Sequence, residues 1–366
     1  MVEMCAALQP LWESGSIEDA HRHAEVLTEH INTHGVRTLM SERILEALLD
    51  KLKSKKHAED RERAAIGLGA IASKVAGKNA PSPLGAEPWL IPAIAPLLET
   101  YADKNEKAKQ AAESAMASIV PLFPPEAAAE LLDVLYGVIM SSTAKWQAKV
   151  GALKIIGRLA DLAYEQVGDE LTQMTPVLTQ AMHETKAEVS KQAIKTATKV
   201  CGVIDNNDIR PFIPDLVGCM ARPDSVPACI KKLSSITFVA EVTGPALAVM
   251  VPLLSRALNE RSQTVQRQSV IIVDNLCKLV RDPHTAALYL PGLLPSVERI
   301  EEGASFPEVR EHAKSAVHTL RTAFAAADAS KQDPQGTDPL ARLAEARAKA
   351  LQRLADAVQP RVPTGV

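Results

Sequence analysis

Aromatic residues are scarce in this 366-residue chain: five Phe, four Tyr and three Trp amount to 3%. Strands favour aromatic and β-branched side chains, so an all-β sandwich or barrel is a poor fit. The five cysteines (Cys5, Cys201, Cys219, Cys229, Cys277) are odd in number, scattered and without a CxxC pair. That argues against a disulfide framework and against a structural zinc site. An excess of either charge is lacking too, since 41 basic against 44 acidic residues leave a net charge of −3. No global positive field is available to hold nucleic acid, although local patches can do so. Every long apolar stretch meets a charge well before ~18 residues, which excludes a membrane span. The opening MVEMCAALQP has no basic segment followed by an apolar run and does not read as a signal peptide. These features predict a soluble, cytoplasmic protein of a reducing compartment.

What is present points to helices. Hydrophobic residues make up 46% and charged residues 23%, enough to bury a core and too little charge for wholesale disorder. Ala and Leu, the best helix formers, fill the chain. At ~150 residues per domain the length suggests two or three units, but the placement of proline suggests an array instead. Segments such as IAPLLETYADKNEKAKQAAESAMASIV (from Ile94), MTPVLTQAMHETKAEVSKQAIKTATKV (from Met174) and MVPLLSRALNERSQTVQRQSVIIVDNL (from Met250) share one frame. Each has a proline in an apolar turn of helix, a Leu-rich stretch, a charged break and a second apolar helix. The frame prolines Pro96, Pro176, Pro214, Pro252 and Pro295 are spaced by 80, 38, 38 and 43 residues, and Gly137 stands midway in the double gap. Thirteen residues on from Gly137, Pro176 and Pro252 come Val150, Val189 and Val265.

A period of ~40 with two helices per unit is the signature of HEAT or armadillo repeats. Each repeat exposes an apolar face that only its neighbours can cover. The expected fold is therefore all-α, a HEAT-repeat α-solenoid of about eight ~40-residue repeats, with the frame prolines bending the first helix of each repeat. Acidic residues eight past the proline (Glu184, Glu260) and basic residues after the valine (Lys191, Arg267, Arg310) fit the same pattern, with Glu184/Lys191 and Glu260/Arg267 as candidate ties between repeats. Residues 1–58 read as an N-terminal helical cap, 59–325 as the array, 326–337 as a polar linker and 338–366 as a last helix and tail. Ser16 and Ser41 are candidate N-caps, 76–88 is a Gly/Pro loop, and Asp338 and Pro339 open a final helix with Leu340, Leu343, Leu351, Leu354 and Val358 on one stripe.

The blocks KWQAKVGALKII (145–156), MTPVLTQAMHETKAEV (174–189), ITFVAEVTGPALAVMVPLLSRALNER (236–261) and IIVDNLCKLVRDP (271–283) resemble the HEAT domain of fungal-type translation elongation factor three. They are also similar to the HEAT region of the ribosome-bound general-control kinase activator. The resemblance runs over roughly residues 60–325. It implies association with the ribosome, through rRNA and ribosomal proteins, or with a translation factor. In the resembled factor two ABC-type ATP cassettes follow the array; they are absent from this chain, so it is expected not to be an enzyme. The alternatives are a general protein–protein scaffold without ribosome binding, or the ribosome-targeting fragment of a longer ABC-type translation ATPase.

The nearest phosphate-loop candidate, Ala72 to Asn79 around Gly77 and Lys78, lacks the first glycine and has Asn79 where Mg²⁺ would need Ser or Thr. His21, His23, His30 and His34 cluster, and His30/His34 have zinc-compatible spacing, but no third ligand stands out. The cysteines lie in apolar helical contexts and read as inert buried thiols. No catalytic centre, cofactor, metal or small-molecule substrate is expected. Basic residues recur where the second helix of a repeat begins, and equivalent positions in a solenoid stack along one edge, where helix N-termini also favour phosphate. Lys145, Trp146, Lys149, Lys186, Arg222 and Arg261 are the candidate ribosome- or partner-binding residues. Trp146, assigned to the inter-helix turn, reads as a packing anchor ahead of a partner contact, and Phe238 and Val239 are expected to pack on a buried second helix.

Overall fold

A computed structural model describes residues 6–76 and 85–331. Cys5, the Gly77–Lys78–Asn79 part of the phosphate-loop candidate, the linker beyond Lys331 and the final helix with Asp338, Pro339 and its leucine stripe lie outside the described residues. Among the described residues there is no strand. The fold is a HEAT-repeat α-solenoid of paired helices. The first unit spans residues up to Cys229 together with Gly244–Leu253, and the second spans Ile230–Thr243 together with Leu254 onward.

The helices are α1 (Gln9–Trp12), α2 (Ile17–His34), α3 (Thr38–Ser41), α4 (Ile44–Leu52), α5 (Ala58–Ile71), α6 (Glu87–Thr100), α7 (Glu106–Ile119), α8 (Ala128–Met140), α9 (Trp146–Leu162), α10 (Tyr164–Asp169), α11 (Leu171–Met182), α12 (Ala187–Cys201), α13 (Ile213–Ala221), α14 (Val226–Leu233), α15 (Gly244–Leu258), α16 (Gln263–Leu279), α17 (Pro283–Tyr289), α18 (Leu294–Gly303) and α19 (Pro307–Lys331). The hairpins α4/α5, α6/α7, α8/α9, α11/α12 and α18/α19 each pack as a pair. Neighbouring second helices also pack directly, α5 on α7, α9 on α12 and α16 on α19. Leu97, Leu131, Leu135, Leu153, Ile156 and Leu178 are fully buried in the first unit. Each such side chain contributes about 1.5–3 kcal/mol on leaving water. Helix α19 continues to Lys331, past residue 326 where polar composition suggested a linker.

The prolines behave in two ways. Pro96, Pro176 and Pro252 lie inside α6, α11 and α15, as the frame predicted. Pro214 and Pro295 instead stand in the first turn of α13 and α18, each after a short 3₁₀ segment. The missing N–H costs nothing there, because a first-turn N–H has no intrahelical acceptor. Ser16 caps α2, its hydroxyl accepting from Asp19 N–H at 3.1 Å. Ser41 does not cap: it ends α3, and α4 starts after Arg43, whose φ of 55° is left-handed. The segment ITFVAEVT is not helical either, since α14 stops at Leu233 and the chain stays irregular to Thr243. Phe238 is buried there as expected, but Val239 is 71% exposed.

Candidate interaction edge

Each hairpin carries a short turn from its first to its second helix, and in the first unit successive turns follow one another along the array. The α8–α9 turn is closed by Ser141, whose hydroxyl accepts from the N–H groups of Thr143 and Ala144 at 3.2 Å each. It leaves Lys145 as the extended N-cap of α9 with no side-chain cap bond. Lys186 holds the same position before α12, again with no cap bond from its side chain. Arg222 follows α13 in extended backbone. All three are exposed. In the second unit, Arg261 is exposed just before the uncapped N-cap Ser262 of α16. The sequence therefore located four solvated cations, three of them next to the N-termini of α9, α12 and α16, which receive no side-chain cap; Arg222 instead precedes Pro223, which has no N–H.

Two candidates are placed differently. Trp146 is the first residue of α9, not a turn residue, and it is exposed. Lys149 is no surface cation: it is 8% exposed and its ammonium is ion-paired with Glu184. Position 149 is one turn into α9, and the helical period there turns the side chain towards the following repeat. This also corrects the expected pairing of Glu184 with Lys191. Likewise Arg267 is tied to Glu308, its Nε donating at 3.0 Å, and not to Glu260. Both ends of that pair are largely exposed, so it contributes little to stability. Two further cross-repeat links are Arg61 to Asp103, at 2.5 and 3.0 Å, and Thr196 Oγ1 donating to Leu153 O at 2.8 Å.

Four cations on the same edge escaped the sequence search. Lys53, Lys55 and Lys56 in the α4–α5 turn and Lys104 in the α6–α7 turn are exposed. Lys104 stands eight residues past Pro96, the offset of Lys145 from Gly137 and of Arg222 from Pro214, whereas Glu184 and Glu260 hold that offset after Pro176 and Pro252. None of Lys53, Lys55, Lys56, Lys104, Lys145, Lys186 and Arg222 forms an ion pair among the described residues. A row of unpaired, long-stemmed cations, with uncapped helix N-termini at α9 and α12, suits a polyanion, because phosphate oxygens accept from both.

The other sites considered hold no such arrangement. His30 Nε2 lies 2.9 Å from Glu42 Oε2, His34 Nδ1 2.9 Å from His30 O, and His23 Nδ1 2.9 Å from Ser14 Oγ. Among the described residues no group of three potential ligands is arranged for a metal ion. Cys201, Cys219, Cys229 and Cys277 are buried, and burial pushes the Cys201 and Cys277 thiols up to about 12. That holds them as unreactive thiols at neutral pH. No helix among the described residues is long and apolar enough to cross a membrane.

Two family descriptions match the chain, "EF3 N-terminal HEAT repeat" over residues 20–197 and "Elongation factor 3/GNC1 HEAT repeat" over 225–331. This chain belongs to the elongation factor 3 HEAT-repeat family. It is 42% identical over 82% of its length to the mRNA export factor elf1 of Schizosaccharomyces pombe, covering 28% of that protein. It is 35% identical over 81% of its length to elongation factor 3 of Gonapodya prolifera, covering 27% of that protein. Against elongation factor 3A of Saccharomyces cerevisiae it is 35% identical over 86%, covering 30%. The chain spans less than a third of the length of these relatives. Both matched descriptions concern HEAT repeats of the elongation factor 3 type.

Proposed function

We infer that this elongation factor 3-type array is a non-catalytic docking module for the translation machinery, engaging the ribosome in the cytoplasm through its basic turn edge. The observation that carries this reading is the family match across both units, with relatives named as elongation factors. The unpaired lysines and arginines at the helix-to-helix turns support it, because a ribosome presents rRNA phosphate. The test is co-sedimentation of the full chain with purified ribosomes across a salt series. Binding should weaken steeply with salt, and charge reversal of Lys145, Lys186 and Arg261 together should reduce affinity and lower the salt slope by about 0.7–0.9 per lost phosphate contact. Unchanged affinity in the folded triple variant would favour a scaffold for protein partners.

A second reading rests on the 42% identity to an mRNA export factor. Under it the same edge binds messenger ribonucleoprotein in the nucleus. Preference for poly(A) RNA over ribosomes in a competition experiment would select that reading.

A further inference from the structure

We propose that the opposite edge of the first unit, where α10 joins α9 to α11, binds a lysine- or arginine-rich segment of a partner protein. This inference goes beyond the basic edge and does not depend on it. Four carboxylates gather there: Glu130 on α8, Glu165 and Asp169 on α10, and Glu170 at the start of α11. Helix α10 packs against α8, α9 and α11, which brings the four onto adjoining elements. None of them forms an ion pair among the described residues. Burial raises the Asp169 carboxyl, as does Glu165; burial also raises Glu170, as do Asp169 and Glu130. Every charged group that bears on Asp169 and Glu170 is thus another carboxylate.

Two orphaned polar atoms mark the place a donor would fill. Glu130 Oε2 is buried without a hydrogen-bond partner. The Tyr136 hydroxyl is likewise unpartnered, on a side chain only 9% exposed, and Glu170 is the charged group that acts on it. A buried polar atom without a partner is costly, and a guanidinium or ammonium supplies several donors and the missing counter-charge together. Leu162 and Tyr164, both exposed at the α9–α10 junction, offer apolar contact for the stem and neighbours of such a residue. Charge complementarity, the orphaned acceptors and the apolar rim together select a basic amphipathic protein segment.

The experiment measures fluorescence anisotropy of a short labelled peptide of repeating Lys-Leu-Arg units, titrated with the full chain, beside a counterpart with Glu for each basic residue. The basic peptide should bind and the acidic one should not. The combined Glu165→Gln, Asp169→Asn and Glu170→Gln variant should weaken binding about tenfold, as loss of a close charge pair does. Leu162→Ala with Tyr164→Ala should weaken it by a smaller factor and keeps the proposal testable if the charge variant misfolds. Neutralising Glu99, Glu106 and Glu188, exposed acids outside this edge, should leave affinity within about twofold, since remote charges are screened. Equal loss in both neutralised variants, or none in either, would overturn the proposal. Reversal of Lys145 and Lys186 should leave peptide binding intact, so failure here and failure of ribosome docking are read separately.

Discussion

Gly151→Ala should destabilise this protein while Gly137→Ala stabilises it, although both glycines lie inside helices of one hairpin. Each substitution replaces a residue that disfavours helix by about 0.8–1.0 kcal/mol relative to alanine, so that gain is common to both. The surroundings decide the sign. A Cβ at Gly137 would meet nothing within 4 Å. A Cβ at Gly151 would stand 2.8 Å from Leu98 Cδ2 and 2.8 Å from both Cδ2 and Cε2 of Tyr101. That places a new methyl against the end of α6, on which α9 packs. Overpacking of this kind costs about 1–3 kcal/mol, and two side chains must move here, which points to the upper part of that range. After the helix gain, Gly151→Ala should lose about 1–2 kcal/mol and Gly137→Ala should gain about 0.5–1 kcal/mol. In thermal unfolding this corresponds to a few degrees in opposite directions, at about 2–4 °C per kcal/mol for a unit of this size. Combining Gly151→Ala with Leu98→Ala should give a coupling energy of at least about 0.5 kcal/mol, because the two share a contact. Equal stabilisation by both single substitutions would refute the close approach of α9 to α6.

Lys149→Ala should lower stability by about 2–3 kcal/mol, slightly less than a fully buried pair because Glu184 keeps some solvent. Lys145→Ala should stay within about 0.5 kcal/mol, and urea titration of the two compares them directly. Arg267→Ala should leave the melting temperature nearly unchanged, since its partner Glu308 is mostly solvated. For Asp274, burial pushes the carboxyl up, but bonds from Lys278, Thr319 and Ser315 more than offset this and hold it below the usual carboxylate range. The unfolded chain therefore binds its proton more readily, so the stabilisation is complete above about pH 4 and is lost as pH falls through the folded value. Asp274→Asn should accordingly be less stable than wild type at pH 7, with the gap closing on acidification. In a Cys5→Ser background the remaining thiols should react with a thiol reagent at pH 8 only on unfolding, because Cys201 and Cys277 are held at about 12. Fast labelling of the folded chain would contradict their burial.

The sequence by itself determined the repeat. Apolar periodicity and the ~40-residue recurrence of proline are local signals, and a helix hairpin whose apolar face only a like neighbour can cover has few ways to fold except as an array. The exposed cations of the turns were legible as basic residues recurring near the start of each second helix, Lys145, Lys186, Arg222 and Arg261, though at no single offset from the frame residue. Which charges remain free was decided only by tertiary structure. Lys149 and Lys145 are four residues apart in the same basic cluster, yet one is buried on Glu184 and the other solvated. That distinction depends on where α9 rotates against the next hairpin. The partners of Arg61 and Arg267 lie about one repeat away in sequence, 42 and 41 residues on, so no local spacing encodes them. The same holds for the orphaned Tyr136 hydroxyl and the carboxylates around α10. Their residues come from three helices, and only the packing of those helices brings like charges together without a counter-ion.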